Sequence, residues 1–221
     1  MNINTLFFDV NETLLDLAPV RKSVEKALKG NTEGVVLWFK SLLHRSLVYS
    51  AGETFQPFGQ LAADALQNVA RFYEIELAKH QAEEAIKPIL RCEPHEDVES
   101  GLDKLRQKGY RLCALTNSST DALKQQMEHS GLGTYFEKAL SVEQIGIYKP
   151  HKKVYEWAAK QVGEQPKNCA MIAAHDWDVM GAKWAGFTTV YVKRSYVPIF
   201  SPSSVKPDLI ANRIDVLAEQ L

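Results

Sequence analysis

A short apolar run ends in a carboxylate, and about 70 residues of different character intervene before such runs return. Residues Thr5–Val10 read TLFFDV, a strand-length segment with Asp9 near its carboxyl end. Asn11–Glu12–Thr13 make a tight polar run, Leu14, Leu15 and Leu17 resume the apolar pattern, and Pro19 breaks it. From residue 20 to 90 the apolar residues recur at helical spacing: Leu28, Val35, Val36, Phe39, Leu42, Leu43 and Leu47, then Leu61, Leu66, Val69, Phe72 and Leu77. Gly52–Glu53–Thr54 and Gln56–Pro57–Phe58–Gly59 punctuate them, and Ala78–Leu90 reads as helix again.

After Cys92–Glu93–Pro94 strands and helices alternate. Helices are expected over 98–108, 120–130, 152–162 and, after the segment His175–Asp176–Trp177–Asp178, on to Ala185, with Gly109, Gly131 and Gly186 as stops. Strands are expected at 110–115, 139–141, 169–173 and 188–192, and a last helix over 209–221. This alternation calls for a parallel sheet covered by helices, a Rossmann-like α/β core. The helical block after the first strand then reads as an insertion. The expected division is a core of residues 1–16 and 92–221 and a mostly helical cap of residues 17–91.

With 221 residues, 45% of them hydrophobic, the chain can bury a core without staples. The formal charge of −1 argues against a nucleic-acid or anionic-membrane binder, which would carry a basic face. A small anionic substrate remains accessible, because one local cation can handle it. Cys92, Cys113 and Cys169 are few, odd in number and far apart, so buried thiols fit better than disulfides or zinc. No stretch approaches the roughly 20 apolar residues of a membrane span, and no leader pattern opens the sequence. The expectation is a cytoplasmic protein. Apolar cap faces could also support a homodimer.

Four polar clusters follow predicted core strands, where ligands of open α/β sheets bind. Asp9, with Asn11 and Thr13, can be a nucleophile if a cation keeps it ionised, or an ordinary turn. Thr116–Asn117–Ser118–Ser119 can form an anion nest at a helix start, or only cap that helix. Lys149, restrained by Pro150, can be a fixed charge beside a carboxylate, with Tyr155 bonding the same anion; the alternative is a solvated Lys and a half-buried Tyr. His175, Asp176 and Asp178 could suggest a metal site, although the spacing is weak. Asp178 could instead cap the next helix, or orient Lys149 or a water. Trp177 can line an apolar slot or pack in the core.

These pieces together resemble the haloacid dehalogenase-like hydrolase superfamily. The matching stretches are FFDVNETLLDL at 7–17, LTNSS at 115–119, YKPHKKVY at 148–155 and AAHDWDVMGAKWAGF at 173–187. The likeness is greatest to the L-2-haloacid dehalogenase branch. It implies Asp9 as nucleophile, supported by Thr13, with Lys149 neutralising it and Tyr155 assisting. Thr116, Asn117 and Ser118 would contact substrate or nucleophile, and Asp178 would orient Lys149 and water. His175 stands where this branch has Asn, Trp177 matches, and Asn11 replaces its usual aromatic. In the cap, Trp38–Phe39 falls where the branch reads Trp–Arg; Lys40, His44 or Arg45 could serve instead, but a Lys is no bidentate equivalent of an Arg.

The phosphatase branch carries a second Asp where this chain has Asn11, and a Gly–Asp pair, the Asp holding magnesium, where it has Ala173–Ala174. Halide needs no proton to leave, so these losses are tolerable for carbon–halogen cleavage. The resemblance therefore implies a hydrolase acting on small 2-haloalkanoic acids through an aspartyl ester, with no metal or cofactor. The alternatives are a magnesium-dependent phosphatase and a non-catalytic binding protein on the same scaffold.

Overall fold

The computed structural model describes residues 3–196 and 205–221. Strand β1, Thr5–Phe8, is buried along its whole length. It lies at the centre of a six-stranded parallel sheet with β2 (Arg111–Thr116), β3 (Lys138–Ser141), β4 (Cys169–Ala173), β5 (Thr188–Val192) and β6 (Leu209–Ala211). The order is β3-β2-β1-β4-β5-β6. Phe7 pairs with Cys113 on one side and Met171 on the other. Helices cover both faces, which is why the central strands read as continuous apolar runs rather than alternating ones.

The order sets the place of the site. The chain builds outward from β1 through β2 and β3, then returns to β4 and builds the other way. Connections leaving β1 and β4 diverge there, and a crevice opens beyond their carboxyl ends. Asp9 directly follows β1, its N–H donating to the Ile172 carbonyl at 3.0 Å, and His175 stands just past β4.

Between β1 and the next core helix lie α1 (Ala18–Ala27), α2 (Thr32–Ala51), α3 (Phe58–Phe72) and α4 (Lys79–Ile86). They form the helical cap. Asn31 caps α2 by accepting the Gly34 N–H at 2.8 Å. The Trp38 indole N–H donates to the Ala62 carbonyl at 2.9 Å, tying α2 to α3. A 3₁₀ turn at Lys87–Arg91 leads back to α5 (Val98–Gln107). The remaining core helices are α6 (Thr120–His129), α7 (Lys152–Gln161), α8 (Asp176–Trp184) and α9 (Leu217–Gln220).

The C-terminal segment corrects the expected helix over 209–221. Leu209–Ala211 is the edge strand β6, paired Val190↔Leu209 and Val192↔Ala211, and only Leu217–Gln220 is α-helix after a turn at Ile214–Val216. The open edge of β5 supplied hydrogen-bond partners that outweighed local periodicity. Ala211 faces in, while Ile210 faces out at 54% exposed.

All three cysteines are buried and free. Burial pushes the Cys92 and Cys169 thiols up to about 12 and Cys113 to about 11, so none is a reactive thiolate near neutral pH. Among the described residues no helix is long and apolar enough to cross a membrane.

Gly101 on α5 lies against Ile214. A Cβ there would come within 2.6 Å of Ile214 Cγ2 and 2.8 Å of its carbonyl carbon. Gly101→Ala is expected to lower stability by about 1–3 kcal/mol, the cost of overpacking. Denaturant melts with unchanged m-value would register it; an unchanged midpoint would show that this packing is loose.

Candidate active site

The site is built on a lysine with no route to water. Lys149 sits in the loop before α7 and is buried. Its ammonium donates to Asp9 Oδ1 at 2.9 Å, Asp178 Oδ2 at 2.6 Å and the Leu115 carbonyl at 2.9 Å. All three ammonium protons are thus used. Its backbone is clamped by Asn117, whose Oδ1 accepts the Lys149 N–H at 2.9 Å and whose Nδ2 approaches the Lys149 carbonyl at 3.5 Å. The Lys149–Pro150 peptide is cis.

The two carboxylates around this ammonium differ. Asp178 is 0% exposed. Its second oxygen accepts the Tyr155 hydroxyl at 2.6 Å. Asp9 is 4% exposed, so of the two it alone keeps any surface. Its other oxygen accepts the Thr13 hydroxyl at 2.8 Å and meets His175 Nδ1 at 3.1 Å. Thr13 in turn accepts the Ala174 N–H at 2.9 Å, linking the β1 loop to the end of β4.

These contacts separate the proton affinities. Burial alone would raise Asp9, but the Lys149 charge and the His175 hydrogen bond outweigh it and hold the carboxyl well below the usual carboxylate range. Asp178 goes the other way: burial raises it and the Asp9 charge adds to that, against the pull of Lys149. Burial disfavours the Lys149 cation, yet the charges of Asp178 and Asp9 overcome this and raise it. Burial likewise opposes a charged His175, but its bonds to Asp9 and Glu12 push it up to about 10. Near neutral pH Asp9 is an anion between two cations.

Glu12 was not singled out in the sequence. His175 Nε2 meets Glu12 Oε2 at 3.0 Å, and Arg21 donates to Glu12 Oε1 at 2.7 Å and to Asp16 at 3.0 Å. Glu12 takes a positive φ of 61°, a left-handed conformation that costs a non-glycine residue about 1–2 kcal/mol. No local pattern reports a contact spanning 163 residues of chain. Arg194 braces the same loop, donating to the Thr13 carbonyl at 2.9 Å while paired with Asp97 at 2.8 Å.

The other expected site residues are placed as follows. His175 packs against Trp177, ring centroids 5.0 Å apart, and against Phe39 from the cap at 5.9 Å. Asn11 donates to Ser118 Oγ at 3.0 Å, and the buried Gln126 donates to Asn11 Oδ1 at 2.9 Å. Thr116 accepts the Ser118 N–H at 3.1 Å. Ser119 caps α6 by accepting the Ala122 N–H at 3.3 Å. Tyr155, expected on the substrate side, is fully buried behind Asp178. Asp178 is not a helix cap; it lies within the first turn of α8 and spends its oxygens on Lys149 and Tyr155. Of the cap cations offered in place of an Arg, His44 and Arg45 line a separate open groove with Val48 and Asn68, remote in lining from Asp9, while Lys40 also borders a small cavity beside Phe39 and Arg21.

A divalent cation does not fit the residues present. The oxygens of Asp9 are taken by Lys149, Thr13 and His175, and positions 173 and 174 offer only methyl groups. Among the described residues no cluster of three His, Cys, Asp or Glu is arranged to hold a metal.

A parallel sheet with a helical insertion after its first strand, and a buried lysine paired to the carboxylate ending that strand, define a class of α/β hydrolase. The sequence model of haloacid dehalogenase-like hydrolases matches residues 3–186, and the chain belongs to that family. It is 28% identical over 194 residues to the (S)-2-haloacid dehalogenase of Pseudomonas sp. (strain YL), covering 87% of this chain and 84% of the relative. It is 28% identical over 216 residues to haloacetate dehalogenase H-2 of Moraxella sp. (strain B), covering 97% and 96%. The structure of L-2-haloacid dehalogenase from Xanthobacter autotrophicus with covalently bound chloropropionic acid superposes with a TM-score of 0.88 at 20% identity, covering 98% of this chain and 97% of that one. The protein is a hydrolase of this fold.

Two stability predictions follow from the buried charges. Lys149→Met leaves Asp9 and Asp178 facing each other without their cation, and is expected to cost about 3–5 kcal/mol in chemical denaturation; a loss below about 1 kcal/mol would mean the pair is solvated. His175 binds its proton more tightly folded than unfolded, so its contribution is complete below its ordinary value of 6.5 and is lost as pH rises toward about 10. The fall in melting temperature between pH 7 and 10 should be smaller in His175→Asn than in the parent protein.

Proposed function

We propose that this hydrolase cleaves the carbon–halogen bond of small (S)-2-haloacids. The observation that carries the reading is the setting of Asp9: an anion held between Lys149 and His175, with neither a metal-binding set nor a neighbouring acid at position 11. A phosphate ester needs its leaving oxygen protonated or metal-bound. A halide leaves as a stable anion, so a lone carboxylate nucleophile suffices. The relatives from Pseudomonas and Moraxella, an (S)-2-haloacid dehalogenase and a haloacetate dehalogenase, support the same choice.

In this mechanism Asp9 attacks C2 from the side opposite the halogen. A carbon–oxygen bond forms, halide leaves with the bonding pair, and the centre inverts. The substrate carboxylate is held by the positive field of Lys149, His175 and the start of α6. Ester formation removes the Asp9 charge that kept His175 protonated, so its proton affinity falls and the proton passes to solvent. The neutral imidazole, oriented by Glu12, then takes a proton from water attacking the ester carbonyl. Collapse breaks the acyl–oxygen bond, the departing alkoxide takes that proton, and Asp9 returns its own proton to His175. The sum is haloacid plus water giving hydroxyacid, halide and one proton. Asp178 and Tyr155 act as positioning residues, holding Lys149.

Halide release from (S)-2-chloropropionate, undiminished by chelator, is the expected result. Activity on phosphate esters that vanishes on chelation, with no halide release, would replace this reading by the phosphatase one. Asp9→Asn should abolish turnover while the protein stays folded by circular dichroism. Single turnover in ¹⁸O-water should place label in the Asp9 carboxylate before product; label entering product directly would sink the ester. Glu12→Gln should give a halide burst of about one equivalent and a mass increase on the Asp9 peptide, because the second step slows by about 10²–10⁴.

A further inference from the structure

A cavity of about 190 Å³ lies between cap and core beside the candidate active site. It meets the site through Asn11, Ser118 and Phe39, the ring that packs on His175. Its walls are apolar: Trp38 and Leu42 from α2, Phe58 and Ala62 from α3, and Ile86 and Ile89 beyond.

The polar groups on its walls already have partners. Asn11 is bonded to Ser118 and Gln126 through both ends of its amide. The Trp38 indole N–H is taken by the Ala62 carbonyl, and the Ser119 hydroxyl by the Ala122 N–H. Lys87 and Glu83 pair with Glu84 and Lys79. An occupant meets chiefly apolar surface and few spare hydrogen-bonding groups, the Ser118 and Ser119 hydroxyl protons among them, so a strongly polar one would leave most of its own groups unpaired on burial. The methyl of a chloropropionate would fill little of this space. A dry cavity of about 150 Å³ lined by Leu, Ile and Phe accepts a benzene ring.

We infer that the cavity receives the apolar substituent on the substrate's second carbon, and that the enzyme's substrates are 2-haloacids bearing a group of ring or branched-chain size. The carboxylate and halogen stay on the Asp9 side, and the tail passes Phe39 and Asn11 into the cap–core space. This rests on the dehalogenase reading for the chemistry but not for the binding.

Gly59, at the start of α3, lines the cavity, and a Cβ there meets no atom within 4 Å. Gly59→Leu therefore adds bulk without a clash at its Cβ. Calorimetry with two unreactive probes, 3-phenylpropionate and propionate, tests the cavity directly. The aryl probe should bind at least tenfold more tightly to the parent protein, and Gly59→Leu should erase most of that ratio. Equal affinities, or a ratio indifferent to Gly59→Leu, would overturn the inference. In turnover, kcat/KM for (S)-2-chloro-3-phenylpropionate should exceed that for (S)-2-chloropropionate at least tenfold, chiefly through KM. A binding preference without halide release from either acid would keep the cavity's role and reject the dehalogenase reading. Release from the short acid alone would do the reverse.

Discussion

One ammonium group held between two buried carboxylates is the constraint on which the rest of this structure depends. Lys149 has no solvent to satisfy it, so its three protons must find protein acceptors, and Asp9, Asp178 and the Leu115 carbonyl are those acceptors. Each comes from a different element. Asp9 ends β1, Leu115 belongs to β2, Asp178 opens α8 beyond β4, and Lys149 itself precedes α7. The parallel sheet brings these ends to one edge, and the ion cluster fixes their relative positions. Burying such charges is favourable only when every partner is in place, because a missing one leaves an uncompensated charge in a low-dielectric site.

The same cluster divides labour between two acids of one chemical type. Asp178, sealed behind Tyr155, holds the lysine. Asp9, at the rim, keeps its charge because cations surround it. Pushing paired acids apart in this way lets one pocket contain both a reactive carboxylate and a structural one. His175 and Glu12 extend the alternation of charge outward to Arg21, so the cluster reaches the cap-side face without an unpaired ion.

Apart from Arg21 on α1, the cap contributes shape rather than charge. Phe39 packs on His175, Trp38 fastens α2 to α3, and the space enclosed beside Asn11 is apolar. Apolar walls keep water away from the ion cluster and strengthen the interactions within it. At this end of the pocket the walls offer volume and apolar surface and no guanidinium.

Much of this was legible in the residue string. TLFFDV, LTNSS, the Lys–Pro pair and HDWD each lie just beyond an apolar run, and those runs became β1, β2 and β4 or led into α7 because buried parallel strands need uninterrupted apolar residues. Leu209–Ala211 misled because three residues carry no period, and only the open edge of β5 made them a strand. Glu12 was invisible for a related reason: its partner His175 lies across the switch in strand order, and a turn residue with a left-handed backbone looks like any other polar loop. The sequence by itself determined the alternation of elements, the insertion after the first strand and the chemical types at each strand end, since these rest on local periodicity and side-chain chemistry. Tertiary structure alone decided which of the two lysine-bound acids is sealed behind Tyr155 and which keeps a trace of surface, that His175 bridges Asp9 and Glu12, and that the cap leaves an apolar space, because burial and distance exist only once the chain is packed.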